Sequence, residues 1–171
     1  MNDTITEIAN LALTLSFIVA LIFGIVQVRV AALDRRERLT LGTLSAFQSR
    51  EFAELIYFIS ALKPMSHWEE LSSLPAEDQV KFIQYGQQME SLGLLVAEGL
   101  INMDLVDKTL GSFVTTSWEK FKPMFNDARE KIPDPFLAEY YQWIAERIDE
   151  RMRASPRPPF FMNKAPIRHK L

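Results

Sequence analysis

Residues 8–28 read IANLALTLSFIVALIFGIVQV, and none of these side chains is charged. A helix rises about 1.5 Å per residue, so the stretch would be roughly 31 Å long as a helix. That length is close to the roughly 30 Å hydrocarbon core of a bilayer. Because backbone groups cannot stay unpaired in lipid, a lone spanning segment must be helical. The stretch therefore predicts one transmembrane helix over residues 8–28.

Two alternatives fit this stretch less well. A cleaved signal peptide has a basic start and an apolar core of about 7–15 residues. This chain instead begins with Asp3 and Glu7 and has a longer apolar core. The core helix of a soluble protein is usually shorter or more amphipathic.

The charges on either side of the stretch predict its orientation. The residues before it include no Lys or Arg, whereas four arginines follow it closely. They are Arg29, Arg35, Arg36 and Arg38. Basic residues near the end of a span favour the cytoplasmic side. We expect residues 1–7 on the outer side of the inner membrane, a basic juxtamembrane segment over 29–38, and the rest of the chain on the cytoplasmic side.

Small residues recur at four-residue steps along one face of this predicted helix. They are Ala12, Ser16, Ala20 and Gly24. Small side chains allow two membrane helices to approach closely. The pattern predicts pairing, either with a second copy in a homodimer or with the span of another membrane protein.

Amino-acid composition excludes some kinds of chemistry and disfavours one class of partner. The chain has no cysteine, which excludes disulfides and thiol catalysis, and its two histidines are His67 and His169. Residues 39–153 carry 11 basic and 18 acidic side chains, whereas residues 154–171 carry four basic and no acidic ones. The acidic character of the larger part disfavours binding to nucleic acid.

Apolar residues recur at spacings of three and four through residues 39–153, and no segment alternates with period two. This pattern predicts an all-α protein, in which the transmembrane helix continues into a small cytoplasmic bundle of about four helices. The first apolar stripe runs from Leu41 to Leu62 without a strong stop signal. We therefore expect a single rod that ends before Pro64.

Capping residues and prolines predict where the later helices begin. Ser66 and Glu69 have the spacing of a capping box, and Pro75 suits the first turn of the following helix. Gly86 and Gly93 in that helix predict a closely packed neighbour.

Two further helices follow from the same signals. Asn102 is a plausible cap for a helix over residues 103–131, within which Pro123 is expected to cause a kink or a break. Asp134 and Pro135 are expected to open the last helix, as its cap and its first residue.

The C-terminal segment, residues 154–171, reads ASPRPPFFMNKAPIRHKL and predicts an extended, disordered tail. Its candidate contact residues are Arg157, Phe160, Phe161, Lys164, Arg168 and Lys170. Basic residues mixed with aromatics suit an anionic lipid surface. The acidic helical part, a partner protein and simple solvation are the alternatives.

No motif for catalysis, phosphate binding or metal binding occurs in the chain. His67 lies in the predicted capping box and is more typical of a helix start than of a ligand. We predict no cofactor, no metal site and no enzymatic activity. A site built from carboxylates alone is the enzymatic alternative.

Six short motifs, in order, resemble a known family. They are Met89–Gly93, Glu98–Ile101, Asp104–Val106, Trp118–Pro123, Arg129 and Tyr141–Ala145. Together they resemble the bacterial domain of unknown function 4760 family, although Gln142 stands where the family pattern has Glu. The resemblance implies one N-terminal membrane helix with a helical cytoplasmic domain, and it implies no reaction.

Trp118, Pro123, Arg129 and Trp143 are the candidates for a feature shared across that family. We expect Arg129 to bond a carboxylate or a helix end across the bundle. The leading hypothesis for function is a single-span, membrane-anchored interaction or regulatory module. The alternative is an accessory subunit of a larger membrane complex, docking through the small-residue face and the basic tail.

Overall fold

A computed structural model describes residues 2–132 and 134–162. It shows α-helices and one short 3-10 turn, and the part it describes contains no strand. The elements are α1 (Asn2–Ala46), α2 (Arg50–Ala61), α3 (Trp68–Ser72), α4 (Ala76–Ala97), α5 (Met103–Lys131), α6 (Glu139–Ala154) and the 3-10 turn (Phe160–Met162). The prediction of an all-α protein with a long apolar N-terminal helix is confirmed.

The first helix is shorter than the predicted rod. α1 ends at Ala46, and a turn separates it from α2. The Ser49 hydroxyl accepts the N–H of Phe52 at 3.1 Å, which caps α2 and makes it a new helix. The prediction of one rod up to Leu62 is therefore wrong, because a local Ser cap redirects the chain. Gly42 does not end the helix, because it lies inside α1.

Helices α4, α5 and α6 form the packed body, and α2 and α3 lie against it. Its core is rich in aromatic rings, including Phe82, Tyr85, Trp118, Phe121 and Tyr141, several of which meet edge to face. Such pairs add roughly 0.5–1.5 kcal/mol beyond the area they bury. The aromatic core fixes how α4, α5 and α6 lie relative to one another.

The two glycines of α4 differ in their surroundings. A Cβ on Gly93 would overlap the backbone carbonyl of Tyr140, so α6 crosses α4 at this point. A Cβ on Gly86 would meet no neighbouring atom within 4 Å. The predicted close neighbour is confirmed for Gly93 and wrong for Gly86.

The predicted start of α5 is confirmed and that of α6 is wrong. Asn102 accepts the N–H of Asp104 at 2.8 Å and caps α5, as predicted. α5 then continues through Pro123 to Lys131, because buried residues on both sides of the proline hold it in the core. Instead of opening the last helix, Asp134 accepts the N–H of Phe136 in a turn, and α6 begins at Glu139.

The start of α3 is shifted by one residue. Its N-cap is His67, and Glu70 accepts the N–H groups of Ser66 and His67, both at 2.9 Å. The Ser66–Glu69 capping box is therefore wrong, because Glu70 and not Glu69 reaches back to the helix start.

Candidate functional site

α1 is attached to the loop that precedes α5. The fully buried Thr40 donates its hydroxyl proton to the Arg36 carbonyl at 2.8 Å and accepts the N–H of Asn102 at 2.9 Å. Arg36 Nη2 also donates to the Ile101 carbonyl at 3.4 Å. Thr40 lies on the same unbroken helix as residues 8–28. The apolar segment and the body are therefore joined without a flexible linker.

The end of α6 and the start of the tail lie at this same end of the body. Arg151 pairs with Asp104 in the first turn of α5. Arg157 donates to the carbonyl and to Oδ1 of Asp107, both at 3.2 Å. Asp107 is buried, and a buried carboxylate needs such a partner. These contacts place the first tail residues close to the junction of Thr40 with Asn102.

Half of the predicted tail contacts fall in the part that the structure describes. Arg157 bonds Asp107, and Phe160 and Phe161 lie exposed in the 3-10 turn. Lys164, Arg168 and Lys170 lie outside the described residues.

The predicted helix-pairing face is accessible along α1. Its members Ala12, Ser16, Ala20 and Gly24 are all exposed. No neighbouring atom lies within 4 Å of a Cβ built on Gly24. The four arginines that are predicted to set the topology continue the same helix, and all of them are exposed. They are Arg29, Arg35, Arg36 and Arg38. Arg36 in addition contacts the loop before α5.

The helix that carries this face is the membrane-spanning candidate. Among the residues that the structure describes, α1 is the one helix long and apolar enough to cross a membrane, judged by length and composition.

A cleft of about 620 Å³ opens at the opposite end of the body, between α3, α4 and the connection to α6. Its walls are mainly apolar and include Trp68, Leu71, Phe82, Ile83, Phe125 and Leu137. Gly86 leaves its floor open, and Glu90 is the acidic residue of the lining.

Asp127 secures α3 beside this cleft. Its carboxylate accepts the N–H of Trp68 at 2.8 Å and the ammonium of Lys131 at 2.9 Å, and the His67 ring lies 3.3 Å away. The hydrogen bond from Lys131, followed by that from Trp68, lowers the pKa of Asp127 to about 2. A carboxylate held in this way stays ionised and acts as a helix cap.

A buried hydroxyl cluster joins the three core helices. The Tyr85 hydroxyl lies 2.5 Å from both the Ser117 hydroxyl and the Tyr141 hydroxyl, and Tyr141 donates to Ser117 at 2.8 Å. Burial raises the pKa of Tyr85 to about 12 and raises the pKa of Tyr141 well above its ordinary value. Both phenols therefore stay neutral near neutral pH, which suits a structural role for the cluster.

Arg129 holds the chain where α5 connects to α6. Its Nε donates to the Leu137 carbonyl at 2.9 Å, and its Nη1 donates to Gln142 Oε1 at 2.6 Å. Arg129 therefore bonds the turn before α6 and a side chain within α6, and the expected bond to a carboxylate or to a helix end across the bundle is wrong. Its side-chain partner is the amide of Gln142.

Glu90 caps α6 from a different helix. The N-cap residue of α6 is Ala138, which has no side-chain acceptor and lies in the left-handed region with φ of 57°. Glu90 instead accepts the N–H groups of Tyr140 and Tyr141, at 3.2 and 2.9 Å. A carboxylate here is also favoured by the positive end of the helix dipole.

Sequence reasoning missed several of these residues. No sequence motif marks the contacts of Glu90, Thr40, Asp107 or Asp127. Asp127 carries one local signal, Lys131 four residues later, which is the spacing of a helical ion pair. Within 2–132 and 134–162, no three His, Asp or Glu side chains are grouped to hold a metal ion.

The family model of a domain of unknown function, DUF4760, matches residues 14–148. This chain belongs to the DUF4760 family. The match starts inside the apolar stretch and ends in α6, so most of the apolar stretch and of the body belong to one family unit. The resemblance seen in the short motifs is confirmed. No curated protein and no solved structure matches the chain.

Proposed function

We propose that this DUF4760 protein crosses the inner membrane once and presents its helical body in the cytoplasm as a non-enzymatic interaction or regulatory module. One observation carries the proposal. α1 is exposed along its apolar segment, and the same unbroken helix is bonded to the body through Thr40.

This arrangement has a mechanical consequence. A change in the rotation or pairing of the span turns the body with it, because no linker absorbs the motion. Exposed small residues from Ala12 to Gly24 would supply the pairing surface. The orientation of the body would thereby depend on which helix pairs with the span.

The orientation can be tested in intact cells, because the chain has no cysteine of its own. We expect a maleimide that cannot cross the membrane to label Thr4→Cys from outside. Tyr57→Cys, on the exposed side of α2, should react only after the inner membrane is opened. Labelling of Tyr57→Cys alone in intact cells would reverse the proposed topology.

The pairing surface can be tested by crosslinking in native membranes. We expect Ala20→Leu with Gly24→Leu to reduce crosslinked dimer or partner complex. The control, Ile18→Leu with Ile25→Leu, changes the opposite face of the same helix and should leave crosslinking unchanged. Equal yields from both variants would exclude the small-residue face as an interface.

The kind of partner separates the two functional hypotheses. The full chain is purified from native membranes in mild detergent, and the proteins that accompany it are identified by mass spectrometry. A single stoichiometric membrane partner would make the protein an accessory subunit. A defined homo-oligomer without such a partner supports a self-contained module.

A further inference from the structure

A groove of about 810 Å³ lies between α1 and the loop that joins α4 to α5. Its charged lining residues are Arg29, Arg35 and Arg36 of α1, and none of the described residues that line it is acidic. Leu33 of α1 and Leu100 of the loop also line it, with 66% and 46% of their surfaces exposed. We call this feature the junction groove. It combines three cationic side chains with apolar surface on both of its walls.

The three guanidinium groups of the junction groove have no carboxylate partner in the described part of the chain. Within residues 2–132 and 134–162, the arginines that pair with a carboxylate all lie elsewhere. Arg36 donates through Nη2 to the Ile101 carbonyl at 3.4 Å, which leaves the other N–H groups of the same side chain for a ligand. A guanidinium has five N–H donors in a planar fork that matches the oxygens of a phosphate. The groove is therefore suited to a phosphate-bearing ligand.

The position of the junction groove along α1 places it at the proposed membrane surface. Arg29 directly follows Val28, the last residue of the apolar stretch, on the same unbroken helix. Arg35 lies about 9 Å further along the helix, and the headgroup region is roughly 5–7 Å thick on each side of the hydrocarbon core. Side chains on a helix lean towards its N-terminus, so the side chain of Arg35 leans towards the bilayer. Headgroup phosphates would therefore lie within reach of the groove.

The loop wall of the junction groove is fixed against α1 by contacts further from the membrane. Thr40 accepts the N–H of Asn102 at 2.9 Å, and Arg36 donates to the carbonyl of Ile101. One residue earlier in the loop, Leu100 lines the groove. Followed backwards, the loop thus runs along α1 from Thr40 towards the membrane. The body itself, through Leu100, therefore forms one wall of the groove.

We propose that the junction groove binds one anionic phospholipid of the cytoplasmic leaflet. Arg35 and Arg36 donate to its phosphate, and Arg29, which lies nearer the hydrocarbon core, donates to its ester oxygens. The first carbons of its acyl chains lie against Leu33 and Leu100. A lipid is favoured over a soluble phosphate compound because it covers the apolar walls of the groove as well as the cationic one. The inference rests on the proposed span.

A bound lipid would contact the span and the body at once. The lipid composition of the membrane would then determine how firmly the loop before α5 is held on α1. Because the same unbroken helix carries the span, an anionic lipid in the groove would also favour one orientation of the body over the membrane.

The test measures by native mass spectrometry how tightly the full chain in detergent micelles retains a first lipid. The lipids are phosphatidylglycerol and phosphatidylcholine, and the soluble probe is glycerol phosphate. We expect phosphatidylglycerol to bind at least about fivefold more tightly than phosphatidylcholine, since each basic residue strengthens binding to an anionic lipid by roughly that factor. Glycerol phosphate, which has no acyl chains, should bind far more weakly than phosphatidylglycerol.

Two matched pairs of variants locate the site. Arg35→Gln should weaken phosphatidylglycerol binding roughly fivefold. Arg38→Gln removes the same charge from the same helix outside the groove, and it should change binding by less than about twofold. Leu100→Gln should weaken binding roughly twofold or more, because it removes apolar surface from the loop wall. Leu94→Gln, at an exposed leucine of α4 outside the groove, should leave binding unchanged.

Several outcomes would overturn the proposal. Equal binding of the two lipids is one, and equal losses from Arg35→Gln and Arg38→Gln are another, since they would indicate attraction by general charge. Glycerol phosphate that binds as tightly as phosphatidylglycerol would indicate a soluble ligand for the groove. Equal effects of Leu100→Gln and Leu94→Gln would show that the loop is not part of the site.

Failure of this inference is distinguishable from failure of the proposed span. A chain that stays in solution without detergent would contradict the span and the lipid site together. A chain that needs detergent but retains phosphatidylglycerol no better than phosphatidylcholine would contradict the lipid site alone.

Discussion

Gly93 in α4 and Gly24 in α1 are both glycines on apolar helix faces, but their surroundings are opposite. A Cβ on Gly93 would overlap the Tyr140 carbonyl, whereas a Cβ on Gly24 would meet no neighbouring atom within 4 Å. The contact of α4 with α6 is complete within this chain. The α1 face lies open within the part of the chain that the structure describes, so any partner for it must come from outside that part. The two glycines therefore separate a folding surface from a candidate assembly surface.

The largest expected effect is at the contact of α4 with α6. Gly93→Ala places a methyl group where the Tyr140 backbone lies, so α6 must move away from α4. We expect the free energy of unfolding to fall by about 1–3 kcal/mol, the usual range for overpacking a core. Urea unfolding of the full chain in detergent, followed by tryptophan fluorescence, measures the change.

Gly86→Ala is the control for that prediction, on the same helix two turns earlier. Its Cβ has open space, so the change should stabilise the body by about 0.5–1 kcal/mol through helix propensity alone. If both substitutions destabilise equally, the close approach at Gly93 is not what sets the distance between α4 and α6.

These two glycines also show what could be predicted from the sequence. Both Gly86 and Gly93 were predicted to allow a close neighbour. The spacing of residues along a helix shows which of them share a face, but it does not show where along that face the neighbouring helix lies. The start of α5 was predictable, since Asn102 caps it through residues two and three positions later. The start of α6 was not, because Glu90 caps it from about 50 residues away.

The candidate site divides in the same way. The apolar stretch, its small-residue face and the basic tail each consist of residues that are close together in the sequence. A local pattern therefore reveals them. The junction of Thr40 with Asn102 joins residues 62 apart, and Arg157 reaches Asp107 across 50. Contacts of that kind depend on the packed body, which no local pattern encodes.

The second prediction concerns Tyr85 in the aromatic core that joins α4, α5 and α6. Burial raises the pKa of Tyr85 to about 12. In the unfolded chain the phenol ionises near its ordinary pKa of about 10, so above that pH the unfolded state loses its proton first. Stability is fully present below pH 10 and should fall as pH rises towards 12, by up to about 1.4 kcal/mol per pH unit for this group. Unfolding midpoints measured between pH 8 and 11 test the slope.

Tyr85→Phe provides the comparison for that titration. It removes the group whose pKa differs between the two states, so the slope above pH 10 should become shallower. Tyr57→Phe, at an exposed position, should keep the wild-type slope. Identical slopes for all three proteins would show that Tyr85 does not govern alkaline stability.

The third prediction concerns how α6 is held over Gly93. Glu90→Gln keeps an acceptor for the Tyr141 N–H but removes the negative charge at the start of the helix. We expect a loss of about 1 kcal/mol, because a charge-assisted bond becomes a neutral one and the dipole is no longer countered. Glu98→Gln, an exposed acid at the end of α4, removes a charge that the helix dipole disfavours and should be neutral or slightly stabilising. Equal losses in the two variants would mean that Glu90 acts through net charge and not as a cap.

The smallest expected effect on stability is at the small-residue face of α1. Gly24→Ala should change the unfolding free energy of the body by less than about 0.5 kcal/mol, as for most substitutions away from packed groups. The same change should reduce crosslinking between spans in native membranes, since a methyl group enlarges a face that the chain itself leaves uncovered. A stability loss like that of Gly93→Ala would mean that the span packs onto its own body, and the two glycines would then mark the same kind of surface. Unchanged stability with weaker crosslinking would give each surface its own role: the body folds around Gly93, and the protein assembles around Gly24.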